Sequence, residues 1–201
     1  MAGLVRQHPA ASEATRDERA PDDDAPLVAA AQRDPTAFAS LYHRYVDPVY
    51  RFCYRRLGER TAAEDATSLV FLKALQALPR YRAGSFRSWL FAIAHNVVAD
   101  CHRAPNPCRP LALIADRPAP DADPGDAVLA AAETASLRNL IAHLPPEQRR
   151  VVELRLAGLS DGEIAGVLGR SPGSVRTAQY RAVLRLRRLL GVVKPEEATH
   201  G

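Results

Sequence analysis

The stretch LPPEQRRVVELRLAGLSDGEIAGVLGRSPGSVRTAQYRAVLRLRRLL, Leu144 to Leu190, constrains the fold more than any other part of this chain. It has the pattern of a helix-turn-helix with a basic second helix. Ser160 and Asp161 are placed to cap a short helix over Gly162–Leu168, whose apolar positions are Ile164, Ala165 and Leu168. Gly169 ends it, because a residue with positive φ is cheapest as glycine. Ser171 then falls at an N-cap and Pro172 at the first helical position, where a missing N–H costs nothing. The helix that follows turns Val175, Ala178, Ala182 and Val183 inward and carries Arg176, Thr177, Gln179, Tyr180, Arg181 and Arg185 on its other face. A helix of this kind fits the DNA major groove, with arginine reading guanine and its neighbours gripping phosphate.

Charge distribution agrees with that reading. The 201-residue chain has a formal net charge of +4 and a pI near 9.2. Glu147–Leu190 carries nine arginines against four acids, whereas Met1–Asp24 carries three arginines against six acids. A basic end and an acidic arm suit a nucleic-acid partner. No apolar run approaches the length of a membrane span, and the polar N-terminus has no signal-peptide core, so a cytoplasmic protein is expected. Cys53, Cys101 and Cys108 form no disulfide framework. Cys101, His102 and Cys108, with His95 upstream, match no common zinc spacing, so no metal site and no cofactor is expected.

The remainder reads as helices. Met1–Ala25 is charged and low in large apolar residues, a disordered tail by composition, taken to end at residue 26. Asp34-Pro35 is read as the start of the first strong helix, which carries Phe38, Leu41, Tyr42, Tyr45, Val49, Phe52 and Leu57 inward. Pro48 is a point where it kinks or divides, and Gly58 stops it. Thr61–Glu64 has the spacing of a capping box for a second helix, with Val70, Phe71, Ala74, Leu75 and Leu78 as its buried stripe. Ser85 caps a third, whose apolar positions Phe86, Trp89, Leu90, Ile93, Ala94, Val97 and Val98 keep helical spacing over three turns. Six prolines between Ala104 and Gly125 make that segment an extended linker. Helical patterning resumes over Asp126–Leu144 and Glu147–Ala157. The expected fold is all-α: a helical domain over 27–103, a linker over 104–125, a helix-turn-helix domain over 126–191 and a short tail over 192–201.

Two modules in this order resemble a bacterial extracytoplasmic-function sigma factor, of the sigma-70 family. The residues that carry the resemblance are FASLYHRYVDPVYRFCYRRLG (Phe38–Gly58), AEDATSLVFLKALQALPRYR (Ala63–Arg82), SFRSWLFAIAHNVVADCHR (Ser85–Arg103) and the C-terminal segment above. The resemblance implies a promoter-recognition subunit with a winged-helix-like region 4 as its second domain. Its partners would be core RNA polymerase, through the beta and beta-prime subunits, promoter DNA in double- and single-stranded form, and an anti-sigma factor. The first domain would take the −10 element and help melt the duplex, and the second would take the −35 element. Asp116, Asp121, Asp123 and Asp126 would suit a linker lying in a basic channel of the polymerase, or merely a tether.

The resemblance also distributes roles. Arg176, Thr177, Tyr180 and Arg181 match positions facing the −35 groove, and residues so spaced share one side of a helix. Ser171 and Ser174 would donate to phosphate at the helix N-terminus. Ala178 stands where many relatives have a basic residue. Arg185, Arg187 and Arg188 suit either phosphate contact or a solvated face. Ala77, Tyr81, Ile93 and Asn96 match the pocket for a flipped −10 base, with Arg80, Arg82 and Arg87 steering single-stranded phosphates. An aromatic wall and an amide suit that task, although Tyr81 can equally fold back on the core and Asn96 can be plain helix surface. Trp89 falls in the core stripe. Polymerase contact would use Asp65, Ser68, Leu69, Phe71 and Lys73, with Ser68-Leu69 standing where relatives carry Gln-Glu. The competing reading is a helix-turn-helix regulator that binds DNA without polymerase. No phosphate loop, metal spacing or nucleophile–base set points to an enzyme.

Overall fold

A computed structural model describes residues 24–82, 84–103 and 135–191, and all their regular structure is helical. Helix α1 spans Ala25–Arg33, a helix that the sequence reading placed outside the first strong element. It buries Val28 and Ala31, and Asp24 just before it is only 4% exposed. The Asp24 carboxylate accepts from Arg44 Nη1 at 2.6 Å and from the Tyr45 hydroxyl. This paired, buried carboxylate holds the start of α1 against the helix that carries Arg44 and Tyr45. Residues 1–23 lie outside the described residues.

Asp34 caps as expected, but what it caps is a 3-10 turn, Pro35–Ala37. Its carboxylate accepts from the Thr36 N–H at 2.9 Å and the Thr36 hydroxyl at 2.7 Å. Helix α2 follows at Phe38–Leu57 and runs on through Pro48 without dividing. Buried Tyr45 and Val49 on either side hold it, so packing outweighs the lost backbone hydrogen bond. Gly58 ends it in the left-handed region at φ 80°.

Helix α3 spans Arg60–Ala77, and the expected Thr61–Glu64 capping box does not form. Glu59 is the extended residue, so Thr61 is already inside the first turn, and the Glu64 carboxylate instead accepts from Arg60 Nε at 2.9 Å. A second 3-10 turn, Leu78–Arg80, leads to Ser85, whose hydroxyl accepts from the Ser88 N–H at 3.1 Å. That cap opens α4, Phe86–Arg103. Leu75 is 38% exposed instead of buried, because the stripe of α3 runs through Ala63, Ala66, Val70, Phe71 and Ala74 and continues to Leu78 in the turn.

After the linker, which lies outside the described residues together with 126–134 and 192–201, residues 135–142 form α5. Helices α6 (Pro146–Leu156), α7 (Asp161–Leu168) and α8 (Pro172–Leu189) follow among the described residues. In α8, Val175 and Ala182 are buried while Val183 is 39% exposed, against expectation. A small cluster of Ile141, Leu144 and Ala182, with Val152 and Leu186 against it, ties α5 to α6 and α8.

The two described halves pack against each other. One apolar cluster runs from Leu41, Phe52, Phe86 and Leu90 in the first half to Val151, Leu154, Leu159, Ile164 and Val175 in the second. α7 packs along α4, and α6 touches α2. Each large side chain enclosed in this way contributes about 1.5–3 kcal/mol relative to exposure.

Candidate nucleic-acid interface

The helix-turn-helix is built by local capping. The Ser160 hydroxyl accepts from the Glu163 N–H, and the Glu163 carboxylate accepts from the Ser160 N–H at 2.8 Å, a complete capping box. Gly169 ends α7 at φ 64°, and the Arg170 N–H reaches back to the Ala165 carbonyl at 2.9 Å. Ser171 caps α8 by accepting from the Ser174 N–H. Arg155 locks the three helices together. It donates to the Leu159 carbonyl at 2.9 Å, pairs with Asp161 and reaches Gln179 Oε1 at 3.3 Å. Gln179 thus serves this clamp, although it shares a helix with the basic side chains.

Arg176, Thr177, Tyr180 and Arg181 lie together on the open face of α8, with Tyr180 66% exposed. Val175 and Ala182, one step round the helix, are fully buried and fix which way that face points. Ser171 is exposed and Ser174 half-buried, and the Ser174 hydroxyl already donates to the Ser171 carbonyl at 2.8 Å. The Thr177 hydroxyl donates to the Gly173 carbonyl at 3.0 Å. Arg185, Arg187 and Arg188 are exposed.

In the first half, Arg80, Arg82 and Asn96 are exposed, while Ala77, Tyr81 and Ile93 are half-buried. Tyr81 leans on the core: its ring meets Trp89 at 5.1 Å and Phe86 at 6.0 Å between centroids, and its hydroxyl donates to the Gly84 carbonyl. Trp89 is half-buried within the same aromatic group. Arg87 does not face solvent freely. It donates to the Gly158 carbonyl of the second half at 3.1 Å and stands over the Tyr45 ring at 5.7 Å. Burial, and then Asp24, pushes the Tyr45 hydroxyl well above its usual range.

On α3, Asp65, Ser68 and Leu69 are half-buried and Lys73 is exposed. Burial, with Glu64 and Glu59 nearby, holds the Asp65 carboxyl above its usual range. The Ser68 hydroxyl donates to the Glu64 carbonyl at 2.9 Å. Phe71 is 4% exposed and packs edge-on to Phe38 and Tyr42, so this position is core and not a contact surface. Its apolar ring gains more from that enclosure than from any outward rotamer. Cys53 is buried, Cys101 is half-buried, and neither is in a disulfide; Cys108 lies outside the described residues. Among the described residues no group of His, Cys, Asp and Glu is placed to hold a metal ion. No described helix is long and apolar enough to cross a membrane.

Sequence reading missed the polar seam between the halves. Arg56 Nη1 pairs with Glu153 Oε2 at 2.6 Å, with Glu153 only 3% exposed. Arg138 Nη1 donates to the Gly58 carbonyl at 2.9 Å, and the Ser85 hydroxyl bonds the Glu163 carboxylate. Burial outweighs the nearby arginines and pushes the Glu153 carboxyl up. An acid between Val152 and Leu154 was the one signal available in the sequence, and it does not name its partner.

A helical body packed on a capped helix-turn-helix with an open basic face is the form of a two-part DNA-binding protein. Comparison with known proteins narrows the class. Family models described as sigma-70 region 2 and sigma-70, region 4 match residues 41–105 and 134–186. The ECF RNA polymerase sigma factor BldN of Streptomyces coelicolor is 39% identical over 170 residues, which cover 82% of this chain and 64% of that relative. ECF RNA polymerase sigma factor SigD of Mycobacterium tuberculosis (strain H37Rv) is 35% identical, covering 82% of each chain. The solved structure of CnrH in complex with the cytosolic domain of CnrY matches with a TM-score of 0.64 at 28% identity, covering 84% of this chain and 97% of that one. The chain belongs to the extracytoplasmic-function RNA polymerase sigma factors, a family of promoter-specific transcription initiation factors and not of classical enzymes.

Proposed function

We propose that this protein binds core RNA polymerase, through the beta and beta-prime subunits, and directs it to promoters that carry −35 and −10 elements. The observation that carries the reading is the exposed Arg176, Thr177, Tyr180 and Arg181 face, fixed by capped helix ends on both sides of Gly169. These four side chains read the −35 major groove, with Ser171 and Ser174 at the phosphates. Ala77, Tyr81, Ile93 and Asn96 receive an unstacked −10 base, and Arg80 and Arg82 steer the single strand. Arg87 joins them once the Gly158 carbonyl releases it. Asp65, Ser68, Leu69 and Lys73 on α3 meet the polymerase, and Phe71 supports them from inside. Spans of 27–103, 104–125 and 126–191 act as −10 domain, linker and −35 domain. An anti-sigma protein that covers these faces is the regulator; CnrH, similar in fold, was solved in complex with the cytosolic domain of CnrY. The protein works in the cytoplasm, at the nucleoid.

Run-off transcription with purified core polymerase and a genomic promoter library tests this. The expected result is initiation that requires both core and this protein. Duplex binding without any initiation overturns it in favour of a regulator that acts without replacing the sigma subunit.

A further inference from the structure

Where the two halves meet, a cavity of about 640 Å³ opens beside the Arg56–Glu153 pair. Arg55, Arg56, Arg138, Arg149 and Arg150 line it, against the carboxylates of Glu59 and Glu153. Five guanidiniums facing two acids leave a cationic hollow, and its walls come from both halves: the end of α2, and helices α5 and α6. The arginines are only partly used. Arg56 pairs with Glu153, Arg138 donates to the Gly58 carbonyl, and Arg149 donates to the Ala142 carbonyl. Nε and Nη2 of Arg55 and Nε of Arg149 are buried with no hydrogen-bond partner among the described residues. A guanidinium presents five N–H donors in a fixed fork that matches phosphate oxygens; those three nitrogens are enclosed by the protein, so a ligand in the hollow is met by the remaining N–H groups of the five arginines. His102, at the rim, has its imidazole held below the usual range by burial and by Arg56 and Arg149, a sign of the same positive field.

We propose that this cavity binds a small polyphosphate, held between the Arg55 and Arg56 guanidiniums of the first half and the Arg138, Arg149 and Arg150 guanidiniums of the second. Five guanidiniums against two carboxylates leave an excess of about three positive charges, which a chain of two or three phosphates balances and a single phosphate does not. Because the walls belong to both halves, such a ligand binds the packed arrangement better than a separated one and favours it by linkage. The binding needs no promoter or polymerase, so its test is independent of the transcription assay.

Calorimetric titration of the full chain at about 0.15 M salt, where surface charge is largely screened, uses sodium tripolyphosphate and, in a separate arm, ATP without magnesium. The expected result is saturation at one tripolyphosphate per chain. The double variant Arg55→Gln, Arg149→Gln weakens it about tenfold or more, as expected for lost charged hydrogen bonds, while Arg33→Gln, on exposed α1, leaves it unchanged. ATP binding as tightly as tripolyphosphate identifies the phosphate chain alone as the recognised group; tighter ATP binding adds a nucleoside contact within the same site. Should the double variant fail to fold by circular dichroism, Arg150→Gln replaces it. Non-saturating binding, or equal weakening by Arg33→Gln, overturns the proposal. So does an equal loss of scrambled-duplex affinity in the cavity variant, which would make the arginines a DNA-backbone contact.

Discussion

At the scale of single residues, position decides what a side chain can do. Arg176 and Arg155 are the same chemical group, yet Arg155 is spent on Leu159, Asp161 and Gln179 while Arg176 stands open. Arg176→Ala is expected to cost about 1–3 kcal/mol of affinity for the cognate −35 duplex, with an unchanged thermal midpoint; fluorescence anisotropy alongside a melting curve checks both. Gly58 is the converse case, a residue needed for having no side chain. Its φ of 80° and the Arg138 Nη1 atom 2.7 Å from where a Cβ would lie argue against any substitution. Arg138 is flexible and can move, but the backbone cannot, so Gly58→Ala should lose about 1–2 kcal/mol, read by urea unfolding. Caps such as Ser160, Ser171 and Gly169 were legible in the sequence because each acts within three or four residues. The fate of Arg87 was not, because the Gly158 carbonyl that it meets is 71 residues away.

At the scale of elements, helical spacing located α2, α4, α7 and α8 because their buried faces repeat every three or four positions. It missed α1, nine residues whose order depends on Asp24 meeting Arg44 and Tyr45. It also read Thr61–Glu64 as a start, although the cap falls two residues earlier, at Glu59, and Arg60 claims the Glu64 carboxylate. Helix α6 depends on a contact of the same long-range kind. Glu153→Ala strands the largely buried Arg56 guanidinium, whose side chain is 13% exposed. A loss of about 3 kcal/mol is expected, as for other broken buried pairs, measured by chemical denaturation. Glu153→Gln, which keeps one hydrogen-bond acceptor, should lose less.

At the scale of the whole molecule, the packed arrangement has a pH dependence with a definite sign. Burial and then Arg56 hold the half-buried His95 imidazole below its usual range, and His102 shifts the same way at an exposed position. A base depressed in the folded state contributes stability that is present above its ordinary pKa and is lost as pH falls through the depressed one. Glu153 works in the opposite direction, since its carboxyl is raised and its protonation is eased by folding. The thermal midpoint of wild type should therefore fall more than that of His95→Gln between about pH 7.5 and pH 5.5. A scan of both proteins across that window checks it, and equal slopes would remove His95 as the cause.

The sequence by itself determined the helical class, the two modules and the exposed basic face of α8, because caps, periodicity and charge are local and repeat along the chain. Only the tertiary structure decided how the modules meet. Leu159 and Ile164 could close a core within the second half or against α4, and nothing in the spacing of Arg55, Arg56, Arg149 and Arg150 says that they line one cavity. Which neighbours they have depends on contacts between residues about 70 to 100 positions apart, such as Arg87 with Gly158 and Arg56 with Glu153. No local pattern encodes such a pairing; it follows from which apolar faces the folded helices leave to bury against each other.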